Sequence, residues 1–195
     1  YRPNRDDEDQ NFNNLIMSIK QEIQRLNKLV NDFLDYGRPI KLNRQLINVG
    51  FLLVDVIEII KAKASSENII IEEKLSFLPS IYVDPEMIKT CLFNVIINAF
   101  QAMQNGGTFT LATGEDNGNF VITISDTGMG VSRDDIPKVF EPFFSTKKGG
   151  LGLGLATTKR IIEEHGGSIR FNSIEGKGSE VIIQLPLSDK KTTGL

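Results

Sequence analysis

The sequence predicts a two-layer α/β sandwich with a mixed sheet, preceded by one long helix. Three observations predict it. Stretches with helical apolar periodicity alternate irregularly with short strand-like runs, so both kinds of layer must share one core. Several of the strand-like runs come in pairs joined by polar, glycine-containing turns, the pattern of antiparallel hairpins. The first forty residues carry a helical apolar stripe with no strand beside it. Length and composition permit this plan: 195 residues, 40% hydrophobic and 24% charged, suit one globular domain and an appendage.

The opening "YRPNRDDEDQ" is polar and predicts a loose start. From Asn13 to Tyr36, Leu15, Ile16, Ile19, Ile23, Leu26, Val30, Phe33 and Leu34 recur at spacings of three and four, opposite Lys20, Glu22, Gln24, Lys28 and Asp32. A helix with such a stripe cannot bury it alone and needs a partner helix, in a hairpin or a dimer. "GRP" at 37–39 ends it. The expected division is therefore 1–45 for the helix and its linker, 46–187 for the sandwich, and 188–195 for a polar tail. Within the sandwich, "VGFLLVDVIEIIKAKASSEN" reads as a helix, and "IIIEEKL" and "SIYV" as short strands. "DPEMIKTCLFNVIINAFQAMQNGG" is a helix with Asp84 as N-cap, Pro85 at the first helical position and "NGG" as its stop. "TFTLATGEDNGNFVITISD" is a hairpin; "SRDDIPKVFEPFFSTKKGG" a short helix and a loop; "LGLGLATTKRIIEEHGG" a helix closed by glycine; "SIRFNSIEGKGSEVIIQLPL" a final hairpin.

Composition excludes several functions. With one cysteine, Cys91, and one histidine, His165, a zinc site of the usual ligands is ruled out, and any metal must be held by oxygen. A net charge of -3 argues against a nucleic-acid surface. No apolar run reaches membrane-spanning length and no signal peptide is present, so the chain has no membrane segment of its own; a reducing, cytoplasmic setting fits the cysteine usage. A Ser-His-Asp hydrolase lacks its G-x-S-x-G elbow.

Three elements carry chemistry. In the helix after Asp84, Asn94, Asn98 and Gln101 form an amide stripe through otherwise apolar faces. Asn94 and Asn98 lie one turn apart and project together. Buried amides need partners, which are either a metal ion or phosphate oxygen, or nearby backbone. In "VITISDTGMG", Asp126 ends a strand, where a carboxylate can accept from an exocyclic amine, and Gly128 and Gly130 let a flat ligand lie on backbone. A plain turn would use the same residues. In "KKGGLGLGLA", Gly150, Gly152 and Gly154 alternate with Leu151 and Leu153 before a helix. Open amides and the helix dipole favour phosphate there, with Lys147 and Lys148 beside them. The spacing is neither a Walker A motif nor G-x-G-x-x-G. Together the three describe a site for a magnesium nucleotide.

These segments resemble a known family. "NVIINAFQAM" is similar to the N box, "DTGMG" the G1 box, "FEPFFSTK" the F box, "GGLGLGLA" the G2 box and "GKGSEVIIQLP" the last glycine motif of the catalytic domain of two-component sensor histidine kinases, in the GHKL superfamily. "RLNKLVNDFLDYGRP" resembles the second helix of that family's dimerisation and phosphotransfer hairpin, and the branch most resembled includes nitrogen-regulatory and sporulation kinases. The resemblance implies the Bergerat sandwich fold, ATP or ADP with Mg²⁺ as ligand, and protein-histidine kinase activity. Asn98 would ligate Mg²⁺ and Asn94 would help hold it or a phosphate; both, with Lys147, would serve catalysis. Asp126 would accept from the adenine amine, with Gly128 and Gly130 lining the adenine pocket. Residues 140–150 would form the ATP lid, anchored by Phe140, Phe143 and Phe144, with Lys147 near the phosphates. Gly150, Leu151, Gly152, Leu153 and Gly154 would wrap the phosphates, and Gly176 and Gly178 would shape a closing turn.

The resemblance also implies partners: a hairpin helix bearing the phosphoacceptor histidine, a response-regulator receiver domain, and a second copy in the full-length protein. No H box occurs in this sequence, so the expectation is a fragment, second helix plus catalytic domain. Two alternatives remain open. One is a GHKL-type nucleotide-operated switch without histidine kinase activity; the other is a coiled-coil module with a vestigial site. His165 closes its helix about three turns from the glycine run, roughly 15 Å away at 1.5 Å per residue, and is read as structural.

Overall fold

The computed structural model describes residues 14–187, apart from residues 18, 21, 24–25, 28–29, 31–32, 35 and 148–149. The expected loose start, Lys148 and the polar tail lie outside the described residues. The chain divides into two compact units, Tyr1–Pro39 and Ile40–Leu195. In the first, the described residues between 14 and 37 are helical (α1), and Leu15, Ile19, Leu26, Val30 and Phe33 are exposed.

The division falls a few residues before the expected boundary near 45, for a local reason. The Asn43 amide donates to Asp84 Oδ2 at 2.8 Å, and the Arg44 guanidinium donates to the Glu164 carbonyl. Residues 40–44 are thus fastened to the second unit.

That unit runs β1 (Gln45–Asn48), α2 (Val49–Ser66), β2 (Ile69–Leu75), β3 (Ser80–Val83), α3 (Pro85–Ala102), β4 (Gly107–Asp116), β5 (Asn119–Asp126), a 3-10 turn (Ile136–Lys138), α4 (Gly154–Glu164), β6 (Ser168–Ile174) and β7 (Gly178–Pro186). A five-stranded sheet has the order β2-β4-β5-β7-β6; β2 and β4 are parallel and the other neighbours antiparallel, so the sheet is mixed as predicted. β1 and β3 pair antiparallel in a separate small sheet, placing Leu46 opposite Tyr82. β1 straddles the expected boundary, at residues to which the sequence reading assigns no element. The short helix expected in "SRDDIPKVFEPFFSTKKGG" is a single 3-10 turn, because Pro137 has no N–H to continue it.

One sheet face and the three helices close a single core. Phe109, Leu111, Phe120, Ile122, Ile124 and Ile183 alternate inward from the strands, as a half-buried sheet requires. Leu53, Val56, Leu92, Ile96, Phe100 and Ile162 meet them from α2, α3 and α4. Phe100 and Phe109 pack edge to face at 5.4 Å between centroids. Cys91 is buried in this core, and burial pushes its thiol up to about 12, so it is a small apolar side chain and not a nucleophile. Among the described residues no helix is long and apolar enough to cross a membrane.

Candidate functional site

α3 and α4 lie side by side, and the loops before α4 and after β5 meet at their ends. α3 is well started: Asp84 accepts from the Met87 amide at 3.2 Å, and Pro85 follows it. It carries the amide stripe along the side that faces α4 and the Lys147 loop.

Asn94 takes the backbone option left open by its sequence. Its Nδ2 donates to the Gly154 carbonyl at 3.3 Å and to Thr158 Oγ1 at 3.4 Å, and Thr158 Oγ1 donates to the same carbonyl at 2.8 Å. Asn94 therefore fixes the first turn of α4 against α3. Thr158, fully buried, escaped the sequence reading; its signal was a hydroxyl four residues after Gly154 on a face that must be apolar.

Asn98 takes the other option and faces a cation. The Lys147 ammonium donates to Asn98 Oδ1 at 3.1 Å, to the Asn98 carbonyl at 3.2 Å and to Gln101 Oε1 at 2.9 Å. The Asn98 oxygen is thereby turned toward positive charge. Among the described residues no cluster of three or more His, Cys, Asp and Glu could cage a metal unaided. A hard cation that keeps most of its ligands as water and phosphate fits one amide oxygen of this kind.

Asp126 stands at the end of β5, and its Oδ1 accepts from the Gly128 amide at 2.8 Å. Burial pushes its carboxyl above the ordinary range, while the Gly128 and Ser179 amides and the Lys147 charge pull it back. Burial likewise lowers Lys147, with Asp126 opposing. The two groups thus sit within one partly desolvated field.

The glycines after Asp126 do more than admit a flat ligand. A Cβ on Gly128 would stand 2.7 Å from the Ala102 carbonyl, and the Met129 amide donates to that same carbonyl at 3.1 Å. At Gly130, φ is +65° and a Cβ would fall 2.2 Å from the Ile174 carbonyl. The loop is stitched on both sides, to the end of α3 and, through Gly176 N to Met129 O at 2.7 Å, to the β6–β7 turn. That turn holds Gly176 and Gly178.

In the loop before α4, Gly152 has φ of +67° and lies so close to Phe144 that a Cβ would meet its carbonyl at 2.2 Å. The Phe143 amide donates to the Gly152 carbonyl at 3.1 Å. Phe140 lies under Lys159 Nζ at 5.8 Å and Phe144 under Lys138 Nζ at 5.7 Å. Phe143 differs from its two neighbours: it is 55% exposed, its φ is +67°, and its amide ties it to Gly152. Leu153 is buried, whereas Leu151 is half-buried and Gly150 exposed. Beside this loop opens a cavity of about 1290 Å³, walled by Gln101, Met129, Gly130, Lys147 and Gly150 among others. Its walls do not include Asn94, Asn98 or Asp126; Asn98 is capped by the Lys147 ammonium.

His165 is buried at the far end of α4. Its Nε2 accepts from the Asp84 amide at 3.0 Å, so its Nδ1 carries the proton and donates to the Ile161 carbonyl at 2.7 Å. Burial, with the Arg44 charge adding to it, holds the ring below its ordinary value of 6.5. Both nitrogens are occupied, and eleven residues of helix separate it from the glycine loop.

Comparison with known proteins agrees with this geometry. Residues 83–189 match the model of the family described as histidine kinase-, DNA gyrase B-, and HSP90-like ATPase. Sensor histidine kinase ZraS of Escherichia coli (strain K12) is 33% identical over 179 residues, 89% of this chain and 38% of that protein. Sporulation kinase E of Bacillus subtilis (strain 168) is 32% identical over 171 residues, 87% of this chain and 23% of that protein. The chain thus spans well under half the length of these relatives. Among solved structures, full-length ShkA in complex with AMPPNP superposes with a TM-score of 0.76 at 27% identity, over 90% of this chain and 39% of that one. Histidine kinase ThkA in complex with response regulator protein TrrA gives 0.76 at 25% identity, over 91% and 52%. On the family match and these likenesses in sequence and fold, the chain belongs to the histidine kinase-, DNA gyrase B- and HSP90-like ATPase family, as an ATPase domain of the sensor histidine kinase type.

Proposed function

We propose that this chain is the ATP-binding catalytic portion of a two-component sensor histidine kinase, with residues 1–45 supplying the second helix of a dimerisation hairpin and its linker. The observation that carries the reading is the convergence on one side of α3 of a cation-facing amide, Asn98, a strand-end carboxylate, Asp126, and the glycine-lined start of α4. Asp126 orients the adenine by accepting from its amine. Asn98 would hold, through Oδ1, the magnesium ion of the nucleotide, which would supply charge neutralisation on the phosphates. The α4 amides and Lys147 draw the phosphates to one end of the site, so catalysis is mostly positioning and electrostatic stabilisation. The phosphoacceptor is an imidazole nitrogen on a separate hairpin helix; an N–P bond forms as the bond to the ADP oxygen breaks. The phosphoryl group then passes to an aspartate of a response regulator. Names of relatives support these roles: ShkA was solved with AMPPNP, and ThkA with a response regulator. A homodimeric, cytoplasmic catalytic module follows from the same reading.

The test is direct. Calorimetry detects binding of ADP with Mg²⁺ to the chain, and labelled ATP leaves no acid-labile phosphate on it. Adding a hairpin fragment with the H-box histidine restores labelling on that fragment. Label on His165, or steady ATP hydrolysis with no transfer to the hairpin, overturns the reading.

A further inference from the structure

The Lys147 ammonium is held by more than the residue that faces the nucleotide. An ammonium has three N–H donors, and here the Asn98 Oδ1, the Asn98 carbonyl and Gln101 Oε1 take all of them, at 3.1, 3.2 and 2.9 Å. Asn98 and Gln101 are three apart on α3, so their side chains are neighbours on one face. Lys147 is presented by a local turn: its amide donates to Ser145 Oγ at 3.2 Å, and Ser145 Oγ donates to the Lys147 carbonyl at 3.4 Å. Gln101 is otherwise on the surface.

We propose that Gln101 is a positioning residue that completes a three-oxygen cradle for Lys147, and that the lysine and the nucleotide's magnesium ion exchange at one oxygen of that cradle, Asn98 Oδ1. The exchange half rests on the functional reading above. Two cations drawn to the same amide oxygen stand a few ångströms apart in a partly desolvated site, where repulsion is strong. One cation at a time therefore occupies Asn98 Oδ1. Held by the cradle, Lys147 ties its loop to α3. Released from it, the same ammonium reaches the phosphate oxygens. Gln101 sets the balance because its Oε1 holds the lysine while the shared oxygen is Asn98 Oδ1, so it weights the tied arrangement.

The test uses the whole chain with Gln101→Leu, which removes the acceptor at similar size, and Gln101→Glu, which strengthens it. The first readout is the rate at which an N-hydroxysuccinimide ester acylates Lys147 without nucleotide, followed by mass spectrometry. Q101L is expected to raise that rate about fivefold and to speed hydrogen exchange at amides 143–147 and 150–152; Q101E is expected to slow both. The second readout is the ratio of ADP dissociation constants without and with Mg²⁺. Loosening the lysine should raise that ratio about threefold in Q101L and lower it in Q101E. Unchanged acylation in both variants overturns the cradle, and an unchanged ratio overturns the exchange. If wild-type chain binds no nucleotide, the exchange falls with the functional reading, while acylation still decides the cradle.

Discussion

α3 and α4 run antiparallel, so that α3 starts beside the end of α4, and the two helices begin differently. α3 starts on a carboxylate cap, a proline and an acidic first turn. α4 starts on Leu153, in helical conformation, with no side-chain cap and no acidic residue in its first turn. Leu153 is also buried, so a polar cap in its place would have to be sunk in the core. The first helix has its Met87 amide capped by the Asp84 carboxylate, whereas the second has no side-chain cap, and in the proposed reading its amides and dipole are left to a phosphate. Local rules are thus obeyed at the start of α3 and set aside at the start of α4, where the proposed reading places the phosphates.

That contrast can be broken by experiment. The largest effect is expected at the open helix start. Gly152→Ala forces a Cβ to within 2.2 Å of the Phe144 carbonyl at a φ of +67°, so the loop must rearrange. Affinity for ADP with Mg²⁺ should fall about 100-fold by calorimetry, roughly 2.7 kcal/mol, with the urea midpoint little changed. At the capped start the result should invert. Asp84→Ala removes the cap of α3 and the acceptor for the Asn43 amide, and should cost about 2 kcal/mol of unfolding free energy. Nucleotide affinity, measured below the unfolding midpoint, should stay within about twofold. If D84A weakens binding more than folding, the division between holding and binding helices is wrong.

A third variant sharpens the contrast by mixing the two effects. Asp126→Asn keeps an acceptor for the Gly128 amide but removes a charge whose burial disfavours it. Adenine nucleotide affinity should drop about tenfold, roughly 1.4 kcal/mol, while the melting temperature rises. A fall in both would mean that Lys147 stabilises the carboxylate more than burial opposes it.

The smallest effect is at His165, where α4 is closed. Its folded value is depressed, so as pH falls the unfolded chain takes up the imidazole proton first. The stability its neutral form contributes is complete above about pH 6.5 and is lost as pH falls from there through the folded value. Arg44, Asp84 and Glu164 are the charged groups facing it. Urea unfolding at pH 7.5 and 5.5 should show a larger loss in wild type than in His165→Asn, by about 1 kcal/mol. An identical loss in both would assign the pH dependence elsewhere.

Much of the fold was legible because it is local. α2, α3 and both hairpins follow from apolar periodicity and from Pro85, Gly118 and the glycine pairs. β1 was not legible: four residues become a strand only because β3, more than thirty residues later, pairs with them. Neither the parallel β2–β4 pairing nor the place of β7 in the sheet has a local signal, since both depend on which strand edges meet in space. At the site, residue types and spacing named the glycines, Asp126 and the asparagines. They could not distinguish Asn94, which holds α4, from Asn98, which faces a cation, because both amides repeat on one helical face. Partner choice decided that, and the partners lie 49 and 60 residues away.

The strand order has a consequence for the making of the protein. β7, the last strand of the described chain, sits inside the sheet between β5 and β6. On the ribosome, β5 waits with one edge unpaired, and Phe120, Ile122 and Ile124 partly uncovered, until residues 178–186 emerge. A chain cut short before Gly178 is therefore expected to be a sticky nascent product with an open strand edge rather than a weaker binder. Stop codons in the last tenth of the described sequence should send the product to inclusion bodies and chaperones, although Asn98, Asp126, Lys147 and the glycines before α4 have already been translated.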